Sequence, residues 1–212
     1  MSGFFLVFEG IEGSGKTLQL ELLARYLRER GIEPLVTREP GGTKLGEGIR
    51  RLLLKDGEPS PHTELFLYLA DRAQHVEEVI RPALREGRIV LCDRYYPSTL
   101  AYQGYARGLD LGFIEKANAV ATGGLKPHMV VLLDLPVDVA LKRIEVRSKD
   151  RMEREAGPFH EKVRRGFLEQ AQREPDLFHV IDGTKRPEEV FQEVLECIES
   201  RFPGKVPLLR GE

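Results

Sequence analysis

Only two cysteines occur in the 212 residues, Cys92 and Cys197. One sits in a strand-like run and the other in a helix-like run, so they read as separate buried thiols, not as a disulfide or a metal pair. No apolar run approaches the roughly 20 residues that a bilayer span needs. The opening Met-Ser-Gly-Phe-Phe-Leu-Val-Phe-Glu turns acidic too soon for a signal peptide. A cytoplasmic protein without a membrane partner is expected. Net charge is scarce as well: 32 basic side chains face 34 acidic ones, leaving −2. A chain so balanced is a poor candidate for coating nucleic acid or anionic lipid. Asparagine occurs once, at Asn118, and Ala119 follows it. The Asn-Lys-x-Asp run with which GTPases read guanine is therefore missing. Charged residues at 31% with so little asparagine lean towards a heat-adapted source.

Apolar residues make up 41% of the chain, enough for a real core. They fall into five short β-rich runs, Phe4–Phe8, Pro34–Thr37, Arg88–Cys92, Met129–Leu133 and Phe178–Ile181. Amphipathic stretches lie between them, such as Leu18–Arg30, with Leu20, Leu23, Ala24 and Leu27 on one face and Gly31 closing it. Continuously apolar strands alternating with helices predict an α/β fold whose parallel sheet is covered on both faces. The length suits a single domain, with room for one small mobile insert. The charge-dense stretch 143–155 has almost no apolar period and is open to reading as a solvated helix face.

The first strand runs into Gly10-Ile11-Glu12-Gly13-Ser14-Gly15-Lys16-Thr17, and a helix follows. This is the G-x-x-x-x-G-K-[ST] phosphate loop in the strand–loop–helix setting that its mechanism requires. Glycines let successive N–H groups turn inward on phosphate oxygens, and the helix N-terminus adds positive potential. Lys16 is expected to bridge the β- and γ-phosphates of ATP, and the Thr17 hydroxyl to ligate Mg²⁺. So short a chain favours a small-molecule kinase over a motor or helicase. At a second strand end, Asp93-Arg94-Tyr95 stands where open α/β sheets bind ligands. Asp93 could hold Mg²⁺ through its water shell, and Arg94 could fork onto an acceptor phosphate. A salt-bridged turn is the plain alternative.

Further segments narrow the reading. Thr37-Arg38-Glu39-Pro40-Gly41-Gly42-Thr43, Ser98-Thr99-Leu100-Ala101-Tyr102-Gln103-Gly104 and Asp150-Arg151-Met152-Glu153 join the two motifs in this order. Together they make the chain resemble the thymidylate kinase family over most of its length. The resemblance implies a P-loop nucleoside monophosphate kinase fold, with sheet order 2-3-1-4-5, a mobile lid and a homodimer. The activity it implies is the phosphorylation of thymidine monophosphate by ATP with Mg²⁺, a step towards thymidine triphosphate. Glu12 in the P-loop, with Arg143, Arg147, Lys149 and Arg151 in the lid stretch, matches the family's bacterial pattern.

Site roles follow from the resemblance. Arg94, with Arg38, is expected to clamp the acceptor phosphate. Arg72 would donate to thymine O4, Tyr68 would stack on the ring with Phe66 as the alternative, and Thr99 would meet the base edge. Without the resemblance, Tyr68 reads as a core aromatic. Tyr102 would lie under the sugar at C2′, Glu12 would accept from the 3′-hydroxyl, Gln103 would support this shell, and Ser98 is expected among the residues that bind the acceptor. Arg147 and Arg151 would enter on lid closure, and the loop 182–186 would meet adenine. The acceptor is a phosphate monoester with a second pKa of about 6, so it needs no strong general base. Catalysis is expected to be positioning and charge neutralisation. A kinase for another nucleotide and a slow nucleotide-binding switch are the competing readings. Arg72, the 98–104 run and the basic lid favour thymidylate phosphorylation over both.

Overall fold

The computed structural model describes residues 3–144 and 150–204. Its elements run β1 (Phe4–Glu9), α1 (Lys16–Arg28), β2 (Leu35–Arg38), α2 (Lys44–Arg51), α3 (Pro61–His75) and α4 (Arg81–Arg85). Then follow β3 (Ile89–Asp93), α5 (Tyr96–Thr99), α6 (Leu111–Thr122), β4 (Met129–Asp134), α7 (Val137–Ile144), α8 (Gly157–Arg173), β5 (Phe178–Asp182) and α9 (Pro187–Arg201). Wide-turned π-type segments extend α2, α3 and α5 over Leu52–Asp56, Val76–Ile80 and Leu100–Ala106.

All five expected strands form, within a residue of their anticipated ends, and they pair in the order β2-β3-β1-β4-β5. Every pairing is parallel. β1 shows why the strand sequences lack polar alternation. Phe5 and Val7 pack into the cluster under α2, α3, α6 and α8, while Phe4, Leu6 and Phe8 pack into the cluster under α1 and α9. Both faces are buried, so each position must be apolar. Full burial of one such side chain contributes about 1.5–3 kcal/mol.

The register gathers the strands' carboxyl ends on one edge. Phe8 stands level with Asp93, Arg38 level with Asp93, and Asp134 level with Asp182. Helix α1 begins earlier than its apolar period suggests, because Gly15 caps it in the left-handed region, φ 93°. At Gly13 a side chain is excluded on both counts: its φ is +78°, and a Cβ there would lie 2.3 Å from Ala140 O.

Candidate active site

Above this edge lies a cavity of about 620 Å³, reaching from the P-loop to α3 and the last part of the lid stretch, at Asp150, Met152 and Glu153. Lys16 packs at its floor, where Nζ donates to Ile11 O at 3.4 Å and stands 3.5 Å from Glu12. Glu12 also receives Arg94 Nη2 at 2.5 Å. Burial alone would raise the Glu12 pKa, but Arg94 and Lys16 outweigh it and hold the carboxyl down at about 2.

Arg94 is the only non-glycine described residue with positive φ, at 73°. Such a backbone costs of order 1–3 kcal/mol and persists only where its surroundings fix it. Here Arg94 N donates to Phe8 O at 3.0 Å, and Tyr95 N donates to Glu9 Oε1 at 2.9 Å. Glu9 also accepts from Ser98 N and Ser98 Oγ, the latter at 2.7 Å. The Arg94 guanidinium donates to Gly10 O, Ser98 Oγ and Tyr102 Oη at 3.0–3.1 Å. Burial raises the Glu9 carboxyl to about 7 in spite of Arg94. Burial would lower the Arg94 pKa, yet Glu12, Tyr102 and Glu9 drive it well upward.

At the far end Arg72 is 1% exposed and held on two sides. Nε donates to Glu39 Oε2 at 2.8 Å, and Nη1 donates to Thr99 Oγ1 at 2.8 Å and Asn118 Oδ1 at 2.7 Å. His75 Nδ1 meets the other Glu39 oxygen at 2.9 Å, and its Nε2 meets Thr37 Oγ1 at 2.6 Å. The 37–43 loop, which carries Arg38 into the cavity, is thus tied to α3. Asp71 adds a second tie by accepting from Gly41 N, and burial with Glu39 nearby raises its carboxyl to about 6. Tyr68, Arg72, Ser98, Thr99, Tyr102 and Gln103 all line the cavity, as do Arg38, Thr17 and Asp93.

One sequence expectation needs correction. Phe66 is 54% exposed and does not line the cavity. Two residues on a helix turn the side chain through about 200°, so Phe66 faces away from the side that Tyr68 and Arg72 share. Arg151, expected to enter on lid closure, here donates to Leu53 O at 2.7 Å and pairs with Glu64. Arg147 and Lys149 lie outside the described residues.

Across the P-loop is a second cavity of about 580 Å³, lined by Gly13, Ser14, Gly15, Arg143, Gly183 and Lys185 among others. The loop 182–186 expected at adenine therefore does border the P-loop. Arg143 belongs here also, donating to Gly13 O at 3.3 Å and Gly183 O at 3.0 Å. Its place in a charge-dense run gave no sign of that.

Among the described residues no three His, Cys, Asp or Glu side chains form a metal cluster. Magnesium seldom uses an all-protein cage and keeps several waters. Thr17 Oγ1 donates to Asp93 Oδ2 at 2.6 Å, and Asp93 Oδ1 is buried without a partner. A hydroxyl, a carboxylate and a spare buried oxygen beside the P-loop fit a hydrated Mg²⁺ that arrives with ATP.

Sequence reading missed Glu9, Glu39, His75, Glu64 and Asn118 as members of this network. Glu9 alone carried a signal, as a charge ending a strand whose every position is buried.

The family profile described as thymidylate kinase matches residues 8–194. A thymidylate kinase of Carboxydothermus hydrogenoformans is 52% identical over 201 residues, covering 94% of this chain and 98% of that relative. One of Desulfovibrio desulfuricans is 50% identical, covering 91% of this chain and 92% of its own. The crystal structure of thymidylate kinase from Ehrlichia chaffeensis superposes with a TM-score of 0.75 at 34% identity, covering 92% of this chain and 98% of that one.

Proposed function

The chain belongs to the thymidylate kinase family, and we propose how its residues divide the work of phosphorylating thymidine monophosphate to thymidine diphosphate with ATP. The observation that carries the assignment is Arg72, a buried guanidinium fixed at Nε and Nη1. Among the described residues its Nη2 makes no hydrogen bond, which leaves the two N–H groups of that nitrogen, one of them for thymine O4. Cytosine presents an amino group there, so a fixed donor rejects it through an unmet polar contact. Tyr68 stacks on the ring, and Thr99, already accepting from Arg72, has its own hydroxyl proton left for the base edge.

Arg94, with Arg38, clamps the acceptor phosphate, and Ser98 and Glu9 hold Arg94 in place. Tyr102 lies under C2′, where a ribose hydroxyl would find neither room nor partner. Glu12 accepts from the 3′-hydroxyl and holds Lys16 and Arg94 together on one carboxylate. P-loop N–H groups from Gly10 to Thr17 wrap the donor phosphates, and Lys16 bridges β and γ. Mg²⁺, held through Thr17 and Asp93, supplies charge neutralisation on those phosphates when ATP is bound. Adenine occupies the second cavity, with the planar Arg143 guanidinium as one wall and the loop 182–186 beside it.

We read the whole chain as one kinase domain with its lid at about 143–155. Arg147 is the lid cation that meets the transferred group on closure and excludes water. Arg151 anchors the stem of that lid. A second copy of the chain covers the apolar side chains Leu52, Phe66, Phe113 and Val120, which are exposed on the neighbouring α2, α3 and α6 segments. No described helix is long and apolar enough to cross a membrane. The free, buried Cys92 and Cys197 support a reducing, cytoplasmic setting.

The test is ADP release with ATP and Mg²⁺, offering the monophosphates of thymidine, deoxyuridine, deoxycytidine, uridine and guanosine one at a time. Thymidine monophosphate should give by far the highest kcat/KM. Equal turnover with deoxycytidine monophosphate would remove Arg72 from the base site.

A further inference from the structure

We propose that Glu64 is a specificity-determining positioning residue, which locks the Gln103 amide so that its oxygen, not its nitrogen, faces the N3 edge of the pyrimidine. Glu64 is wholly buried on α3 and is approached only by donors. Its Oε1 accepts from Gln103 Nε2 at 2.7 Å and Arg107 Nε at 3.3 Å, and its Oε2 accepts from Arg107 Nη2 at 3.3 Å and from Arg151. Two guanidiniums keep it ionised: burial alone would raise its pKa, but bonds from Gln103, Arg107 and Arg151 bring it below the ordinary carboxylate value. An ionised carboxylate can only accept. The end of the Gln103 amide that meets it must therefore be NH₂, and Oε1 is turned the other way. Among the described residues no donor reaches that oxygen, and Gln103 lines the cavity.

The consequence is a two-point reading of the base. Gln103 follows Thr99 by four residues, so the two share a face, and Thr99 is bonded to Arg72. The cavity thereby offers a donor from Arg72 beside an acceptor from Gln103. Thymine presents the complement, an acceptor at O4 and a donor at N3–H. Cytosine presents the reverse at both atoms. A neutral residue at position 64 could accept or donate, and the Gln103 amide would then turn to suit either base.

Glu64 also holds Arg107 and Arg151, so a merely structural role as anchor of the lid stem is the rival account. Deoxyuridine monophosphate separates the two, because it shares thymine's O4 and N3–H and lacks only the methyl group. In Glu64→Gln, the kcat/KM ratio of thymidine to deoxycytidine monophosphate should fall tenfold or more. The ratio of thymidine to deoxyuridine monophosphate should stay within twofold. A loss of turnover shared equally by all three substrates would overturn the proposal. If thermal denaturation shows Glu64→Gln to be unfolded, Glu64→Asp keeps the charge but withdraws the oxygen from Gln103, and the same fall is expected. The proposal rests on the base lying against Arg72 and Gln103, and Gln103→Leu tests that separately. A fall with Gln103→Leu but not with the Glu64 variants refutes the role of Glu64 alone. No fall with either refutes the placement of the base as well.

Discussion

Replacing Arg94 by methionine should damage stability and acceptor use for two separable reasons. The guanidinium stands between Glu12 and Glu9, at 2.5 Å from the first and 3.8 Å from the second. A Glu12 carboxyl carried from the ordinary 4.5 down to about 2 is stabilised on folding. At about 1.4 kcal/mol per factor of ten this comes to roughly 3 kcal/mol, part of which Lys16 retains. Because the folded value is depressed, that contribution is present above the unfolded value near 4.5 and is lost as pH falls towards 2. Arg94→Met should therefore lose about 2–4 kcal/mol in urea denaturation at neutral pH, in line with breaking a buried pair. Adding Glu12→Gln removes the stranded charge and should restore a good part of the loss. Acceptor binding follows a different logic, since a charge-assisted clamp contributes about 1.5–3 kcal/mol whatever Glu12 does. KM for thymidine monophosphate should rise at least tenfold in both variants, with KM for ATP little changed. Recovery of acceptor KM in the double variant would refute the clamp. Stability unchanged in Arg94→Met would refute the electrostatic account of Glu12.

Tyr102→Ala should narrow the preference for the deoxyribonucleotide over its ribose analogue by about tenfold, the order expected for opening a pocket, read from competing kcat/KM values. Arg143→Met should raise KM for ATP about tenfold while leaving acceptor KM alone, as loss of one stacked or charged contact of about 1.4 kcal/mol implies; unchanged ATP kinetics would remove Arg143 from the adenine wall. Glu9 bears on pH. Its folded pKa of about 7 lies above the ordinary 4.5, so its stabilisation is full below 4.5 and is lost as pH rises through 7. Glu9→Gln cannot ionise and should flatten the fall in urea midpoint over that window; an unaltered slope would show that Glu9 does not titrate there.

The sheet was legible because its cause is local. The three central strands, β1, β3 and β4, are buried on both faces, and each apolar run is complete within five or six residues. The P-loop was legible for a like reason, since its glycines and Lys16 act through the backbone of one turn. The carboxylates that hold the site together were not. Glu39 meets an arginine 33 residues away, and Glu64 collects donors 39, 43 and 87 residues away. In sequence such a glutamate looks like any solvated helix or loop charge, and only the folded register shows it to be buried. The lid stretch failed differently. With no apolar period to fix which side faces in, nothing distinguished Arg143 at the P-loop from Arg151 on Glu64.

These buried carboxylates also explain how a site for polyanions keeps its cations in order. Left alone, neighbouring guanidinium and ammonium groups would repel and scatter into solvent, and each would have to be reassembled on binding. Glu12 instead draws Lys16 and Arg94 to one point, while Glu39 fixes Arg72, whose planar fork keeps only the two N–H groups of Nη2 unspent. The two ends answer different needs. At the phosphate end Glu12 is 19% exposed, so its cations can exchange it for substrate oxygens at small desolvation expense. At the base end Arg72 and Glu39 are sealed, and exchanging that partner would strand a buried charge. Arg72 must therefore read the base without moving, whereas Lys16 and Arg94 can adjust as the phosphates come into line. Rigid recognition and adjustable neutralisation thus come from one kind of ion pair, set at two depths of burial.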